Sequence, residues 1–196
     1  MPNNKAWFLN DGGPLIVIPK EALAFWEGAD EPAGGRVVEI STPSIMGGVA
    51  TDYDRACNAN WPAELLTIGP SWGLAISAET TASASWLDVL EPDTRIVVCI
   101  MFANEDSDRW LHEVYSHVPK TDWLLNAEAA PVLSTELILM HAVSASEANL
   151  LHKDVERAVI GDAILESTPG TSVRIDSSVV DLPDEALLSF HRFRKA

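Results

Sequence analysis

The chain has 196 residues and a formal net charge of −16, from 29 acidic and 13 basic side chains. This charge repels nucleic acid and anionic membrane surfaces, so it argues against both as partners and favours a basic partner. The two cysteines make no disulfide framework, and the sequence shows neither a secretory signal nor an apolar run long enough to span a bilayer. We therefore expect a protein of the reducing cytoplasm.

The first part of the sequence is a series of short apolar runs separated by turn residues. Runs at 6–9 and 15–18 flank Asn-Asp-Gly-Gly-Pro, which predicts two strands joined by a turn. Residues 19–28 predict a short amphipathic helix, because proline suits the first helical position and glycine suits the end. Residues 64–77 predict a hairpin that turns at a Gly-Pro pair.

The middle of the chain contains the clearest buried strand and the clearest helix. Strands are predicted at 85–90 and 95–101, and the second is almost entirely apolar and β-branched, which is typical of a central strand buried on both faces. Residues 104–118 predict a longer amphipathic helix, with an asparagine cap, acids in or near the first turn and one apolar stripe.

The last third of the sequence is also rich in strands. Residues 131–143 and 171–182 read as strands, and 144–166 fit either a helix or a strand. Because many strands are joined by short turns, we predict an α+β fold: a mainly antiparallel or mixed β-sheet with a few short helices and the longer helix. The length allows one domain over 1–196, or two subdomains at about 1–102 and 103–196.

No residue pattern for catalysis or for a cofactor outweighs a structural explanation. A thiol nucleophile needs a base within reach and electropositive surroundings, and no signature of a thiol enzyme surrounds Cys57. His112 and His117 are five residues apart, which on a helix separates their rings by about 140°, whereas a metal-binding pair needs a spacing near four. We therefore predict no catalytic residue, no metal and no cofactor.

The stretch TDYDRAC at 51–57 looks like an active site but also fits a helix entry. Thr51 can cap a helix, and Asp54 three residues later completes a capping box. Asp52 and Asp54 then lie at the positive end of the helix dipole. Tyr53, Ala56 and Cys57 can share the face of the helix that packs on the core. Arg55 is expected to pair with a carboxylate or to hold the preceding loop.

Three stretches occur in a fixed order: GGPLIVIP at 12–19, ALAFWEG at 22–28 and DYDRAC at 52–57. Their combination resembles the immunity protein 21 family of bacterial polymorphic toxin systems. The match covers about a quarter of the chain, between residues 7 and 57, and fewer residues match the family pattern after that. We expect the matching residues to be structural; the motif residues are Gly12, Gly13, Pro14, Trp26, Asp52, Tyr53, Asp54, Arg55 and Cys57.

The resemblance implies a cognate inhibitor, not an enzyme, that binds one toxin domain in the producing cell. An acidic inhibitor suits a basic toxin, for example a nuclease, whose cleft its carboxylates would occlude. Nanomolar binding means about −12 kcal/mol, more than charge alone supplies, so one or two tryptophan anchors inside an acidic rim are expected. The candidates come from the most acidic third: Glu105, Asp106 and Asp108 at the helix start, Asp88, Glu91 and Asp93 on the preceding turn, and Trp72 as anchor.

Two other function classes stay open. A small cytoplasmic hydrolase would use Cys57 as its nucleophile and would lose its activity in a Cys57→Ser variant. An acidic adaptor would use its charge for solubility only, and it would not rescue cells from the toxin encoded beside it.

Overall fold

Two antiparallel β-sheets form the framework of the protein. The computed structural model describes residues 8–9, 13–32, 34, 37–38, 49–77, 83–87, 93–103, 113–131, 136–142, 159–164 and 172–196. The strands are β1 (Phe8–Leu9), β2 (Leu15–Pro19), β3 (Ala63–Ile68), β4 (Ser71–Ile76), β5 (Ser83–Leu87), β6 (Thr94–Ala103), β7 (Leu124–Pro131), β8 (Glu136–His141), β9 (Val159–Ile164), β10 (Ser172–Leu182) and β11 (Ala186–Lys195). Short helices lie at Lys20–Phe25 (3₁₀), Asp52–Cys57 (α1) and Val114–His117 (3₁₀).

The strand order places the last two strands inside a sheet. Sheet A has the order β1-β5-β6-β11-β10-β7, and sheet B has the order β3-β4-β2-β8-β9. Each sheet contains strands from before and after residue 102, the position at which the sequence allowed a boundary between two subdomains. Because side chains alternate along a strand, each sheet presents one face to the other sheet and one face outwards.

Three apolar layers follow from this alternation. The central layer joins the inner faces of both sheets, with Leu74 and Leu139 from sheet B meeting Val97 and Phe193 from sheet A. The outer face of sheet B is covered by the 3₁₀ helix at Lys20–Phe25 and by α1. The outer face of sheet A packs against Val114 and its neighbours in the other 3₁₀ helix.

Several sequence predictions are confirmed by these elements. The hairpin at 64–77 is β3 and β4, whose turn contains Gly69 at φ 54°. β6 pairs with β5 on one side and β11 on the other and is buried over most of its length, as predicted for a central strand. The mainly antiparallel β-structure with short helices is confirmed.

The two strands predicted at the start of the sequence are present as β1 and β2, but they lie in different sheets. β1 pairs with β5 in sheet A, whereas β2 pairs with β4 and β8 in sheet B. The Asn-Asp-Gly-Gly-Pro segment therefore connects two sheets and does not close a hairpin. The physical reason is that partners distant in sequence bury both faces of β2, which a two-stranded hairpin could not do.

The predicted longer helix lies mostly outside the described residues. Its described end is a short 3₁₀ helix at Val114–His117, and no longer amphipathic helix is shown in the part that is described. The strand predicted at 131–143 is divided between the end of β7 and all of β8. Within 144–166, only β9 is described, and it is a strand. No described helix is long and apolar enough to cross a membrane.

Candidate protein-binding surface

The capping box predicted at the start of α1 is present. The backbone N–H of Thr51 donates to Asp54 Oδ2 at 2.8 Å, and the Asp54 N–H donates to Thr51 Oγ1 at 3.2 Å. Two backbone donors at the start of the helix are thereby satisfied by side chains. The carboxylate of Asp54 therefore has a structural role.

Asp52 attaches the same helix to its neighbours. Its side chain is completely buried, accepts a hydrogen bond from the Glu27 N–H at 3.1 Å and pairs with Arg55 Nη1 at 3.3 Å. Arg55 Nη2 also donates to the carbonyl of Thr67 in β3 at 2.8 Å. The predicted pairing of Arg55 with a carboxylate is confirmed, and the pair joins α1 to sheet B.

The remaining motif residues belong to the same contact network. Tyr53 N–H donates to the carbonyl of Gly28 at 2.8 Å. Gly13 has φ 99°, and a Cβ there would lie 2.8 Å from Tyr53 Oη, so a larger residue would clash. Trp26 Nε1 donates to the carbonyl of Ala142 at 3.1 Å, while the Ala142 N–H donates to the carbonyl of Pro14 at 3.0 Å.

We call these residues the motif cluster: Gly13, Pro14, Trp26, Asp52, Tyr53, Asp54 and Arg55. Gly12 lies outside the described residues. The contacts explain why the three stretches occur together, since each one positions the next on the outer face of sheet B. The expectation that the motif is structural agrees with these contacts.

Cys57 is not part of the packed face of α1, contrary to the prediction. The side chain is exposed, although Ala56 beside it is buried. Partial burial and Asp54 raise the pKa of Cys57, and a hydrogen bond from Tyr53 only partly opposes this. A nucleophilic cysteine needs a lowered pKa, so this environment does not activate the thiol. No group of metal-binding side chains is found in the residues that the structure describes.

The predicted acidic binding residues belong to two separate parts of the sequence, before and after β6. Glu105, Asp106, Asp108, Asp88 and Glu91 lie outside the described residues; only Asp93 is described, and it is exposed. Asp93 immediately precedes β6, while the residues from 104 onwards follow its end at Ala103. A strand of ten residues is about 30 Å long, so the two acidic groups are attached to opposite ends of β6.

Trp72, the predicted surface anchor, is a core residue. Its side chain is 3% exposed, and its Nε1 donates to the carbonyl of Pro131 at 2.9 Å. Its ring stacks on Phe193 with 6.3 Å between centroids. The structure therefore corrects this assignment, because β4 turns the ring between the two sheets.

An exposed apolar group lies where the edges of the two sheets meet. β3 and β7 are the last described strands of their sheets, and Asn126 Nδ2 joins them by donating to the carbonyl of Ala63 at 3.0 Å. On this side Trp61 is 55% exposed, Leu124 is 61% exposed and Leu125 is 49% exposed. We call this the β3–β7 side.

One feature of the sequence points to an exposed Trp61. It stands in Asn-Ala-Asn-Trp-Pro, a turn-like stretch before β3, where no strand face buries it. Asp122 and Glu128, before and within β7, are exposed and lie within four residues of the two leucines in sequence. A tryptophan and two leucines flanked by acids have the composition of a protein-binding surface.

An arginine cluster occupies the outer face of β10 and β11. Asp176 is completely buried and receives hydrogen bonds from Arg174 Nε at 3.0 Å, Arg192 Nη2 at 2.9 Å and Arg194 Nη2 at 2.9 Å. Arg192 also lies over the ring of Trp123, 4.0 Å from the centroid. Burial opposes ionisation of Asp176, but the hydrogen bonds from the three arginines outweigh it and lower its pKa.

A buried polar chain lies on the inner face of the same strands. His191 Nδ1 is 2.8 Å from Ser177 Oγ, and its Nε2 is 3.1 Å from Ser189 Oγ. All three side chains are completely buried. Burial lowers the pKa of His191 to about 3, so the imidazole is neutral.

Comparisons with known proteins give one family. The family model described as Immunity protein 21 matches residues 6–161. This range contains the whole motif cluster and ends before β10 and β11. Neither the curated proteins nor the solved structures contain a significant match to the sequence. The family match covers most of the chain and agrees with the ordered motifs, so the protein belongs to the immunity protein 21 family.

Proposed function

We propose that this protein neutralises a cognate bacterial toxin domain in the cytoplasm of the producing cell by binding it, without chemistry of its own. The observation that carries the proposal is the exposed apolar group on the β3–β7 side of a chain that belongs to an immunity protein family. The net charge of −16 supports a basic toxin, such as a nuclease whose cleft attracts phosphates.

The apolar group and the acids have different tasks in this proposal. Trp61 is the aromatic anchor, and the exposed Leu124 and Leu125 add apolar surface on the same side that a partner can cover. Removing such surface from water supplies affinity, mainly by slowing dissociation. The acids, including Glu105, Asp106 and Asp108, attract the basic toxin over a longer range and raise the association rate.

These tasks can be separated by measuring association and dissociation rates with the toxin encoded beside this gene. Trp61→Ala is expected to raise the dissociation rate and weaken binding by about 2 kcal/mol or more. Neutralising Glu105, Asp106 and Asp108 to the corresponding amides is expected to lower the association rate and its dependence on salt. Both variants should keep the melting temperature within a few degrees of the parent.

Phe102→Ala is the matched control, because Phe102 is 52% exposed but lies at the end of β6, away from β3 and β7. Equal losses from Trp61→Ala and Phe102→Ala would refute the location on the β3–β7 side. Equal losses of toxin binding and of melting temperature in the amide variant would refute the role of the acids.

Co-expression tests the function itself against the two alternatives. An inhibitor restores growth of cells that produce the neighbouring toxin, whereas an adaptor does not. Cys57→Ser should protect as well as the parent, because its raised pKa gives no reactive thiolate. Loss of protection in that variant, with its fold intact, would favour a thiol-dependent enzyme.

A further inference from the structure

The arginine cluster holds more positive charge than its ion pairs with the described residues neutralise. Three guanidinium groups bond to the one carboxylate of Asp176. Arg174 and Arg194 are direct partners in the β10–β11 ladder, and like charges opposite each other destabilise a sheet. This surplus is unexpected in a chain with a net charge of −16.

The cluster also has hydrogen-bond donors for which the described residues provide no partner. Each guanidinium has five N–H donors, so Asp176 occupies only a minority of them. Arg194 Nε is buried and has no partner in the described part of the chain. The side chains of Arg174 and Arg194 are 40% and 34% exposed, so a ligand can reach them from solvent.

The third arginine fixes the geometry of the site. Arg192 is 19% exposed and is held between Asp176 and the ring of Trp123. Planar guanidinium groups in fixed positions match the two oxygens of a carboxylate or a phosphate. The positions of the three guanidinium groups therefore suit the binding of an oxyanion.

The surroundings favour a carboxylate carried by a protein over a free anion or a nucleic acid. The strong negative charge of the chain repels both of the latter. A carboxylate on a basic protein is not repelled, because its carrier is attracted as a whole. Asp176 is the ladder partner of Leu125, so the cluster adjoins the β3–β7 side.

We propose that the arginine cluster is a docking site for an aspartate or glutamate side chain of the bound toxin domain, an inference that rests on the proposed function. One acidic residue on an otherwise basic toxin surface would fit this site. A related toxin with a basic residue there would be repelled, so the cluster selects among toxins. The site lies on β10 and β11, outside the residues 6–161 that the family model matches.

The test compares binding of the toxin domain by the parent protein and by three variants. Arg174→Gln removes an exposed donor group, Arg174→Lys keeps the charge but loses the planar fork, and Lys20→Gln removes one charge from the sheet B side. We expect Arg174→Gln to raise the dissociation constant about 10- to 100-fold. Arg174→Lys should recover only part of this, and Lys20→Gln should bind like the parent.

Alanine substitutions of toxin aspartates and glutamates identify the docked residue. One of them should lose no further affinity when combined with Arg174→Gln. The single toxin substitutions are also measured against the unaltered inhibitor, where the same one should weaken binding, so this arm gives an answer even if an arginine variant folds poorly.

The outcomes separate this inference from the proposed function. If the parent binds the toxin but Arg174→Gln binds as well as Lys20→Gln, the docking site is refuted and the inhibitor function stands. If the parent does not bind the toxin, both are refuted. If the parent instead binds inorganic phosphate or a short oligonucleotide in an Arg174-dependent way, the cluster is a phosphate site and the inference is overturned.

Discussion

Two aspartates of this protein are completely buried and paired with arginine, yet their surroundings differ. In the motif cluster, Asp52 meets the single guanidinium of Arg55, whose other end bonds to a backbone carbonyl. In the arginine cluster, Asp176 meets three guanidinium groups, two of them more than a third exposed at the side chain. The first arrangement is balanced in charge, and the second is not.

This difference teaches how to distinguish structural from functional charge. A buried ion pair that satisfies both partners fixes the geometry of its neighbours and leaves nothing for a ligand. A surplus of one sign at the surface has a cost that an oppositely charged partner can remove. Asp176→Asn and Asp52→Asn test this distinction directly, and a change of pH tests the stability of the strands that carry the arginine cluster.

Asp176→Asn should be the most destabilising of these changes. It leaves three positive charges close together without a counter-charge, which should lower the free energy of unfolding by about 3 kcal/mol. Urea denaturation measures the loss. Adding Arg174→Gln should recover part of it, because one of the repelling charges is then removed. A loss below about 1 kcal/mol would show that solvent already screens the cluster.

Acid should lower the free energy of unfolding through His191, which lies on the inner face of the strands whose outer face carries the arginine cluster. The imidazole has an ordinary pKa of 6.5 and a pKa of about 3 in the folded protein. The unfolded chain therefore takes up a proton first, so stability is complete above 6.5 and falls as the pH drops from 6.5 towards 3. From pH 7 to pH 5 the free energy of unfolding should fall by about 2 kcal/mol.

Urea denaturation at the two pH values measures this effect, and His191→Gln is the control. The glutamine does not titrate, so the variant should lose less stability on acidification, whatever its stability at neutral pH. An equal loss in both proteins would assign the pH dependence to the carboxylates.

Asp52→Asn should have the smallest effect of the three. The amide oxygen can still accept the hydrogen bond from Glu27, and Arg55 keeps its bond to Thr67. We expect a loss of about 1 kcal/mol in the free energy of unfolding. A loss as large as that of Asp176→Asn would contradict the comparison, because it would mean that one arginine is as costly to leave unpaired as three.

Features that depend on neighbouring residues could be predicted from the sequence. The capping box of α1, the turn at Gly69 and the buried strand β6 are all set by local patterns, and all are present. The partners of β1 and the burial of Trp72 could not be predicted, because both depend on which distant strand lies alongside.

The arginine cluster lies between these cases. The turn Leu182-Pro-Asp-Glu, with Asp184 at φ 62°, fixes the register of β10 and β11. Pairing the residues outwards from this turn places Asp176 opposite Arg192 and Arg174 opposite Arg194. The cluster could therefore have been found by treating the last two strands as a hairpin. The excess of positive charge can be recognised only when the burial of Asp176 and the exposure of its arginine partners are known.

The position of β10 and β11 in sheet A has a consequence for folding. These are the last described strands in the chain, yet they lie between β6 and β7, which are made earlier. During synthesis, nothing links β6 to β7 within sheet A until the hairpin of β10 and β11 emerges, so sheet A is completed late and through contacts distant in sequence. A chain shortened before β10 would therefore lose the middle of sheet A and leave β6 and β7 without these neighbours.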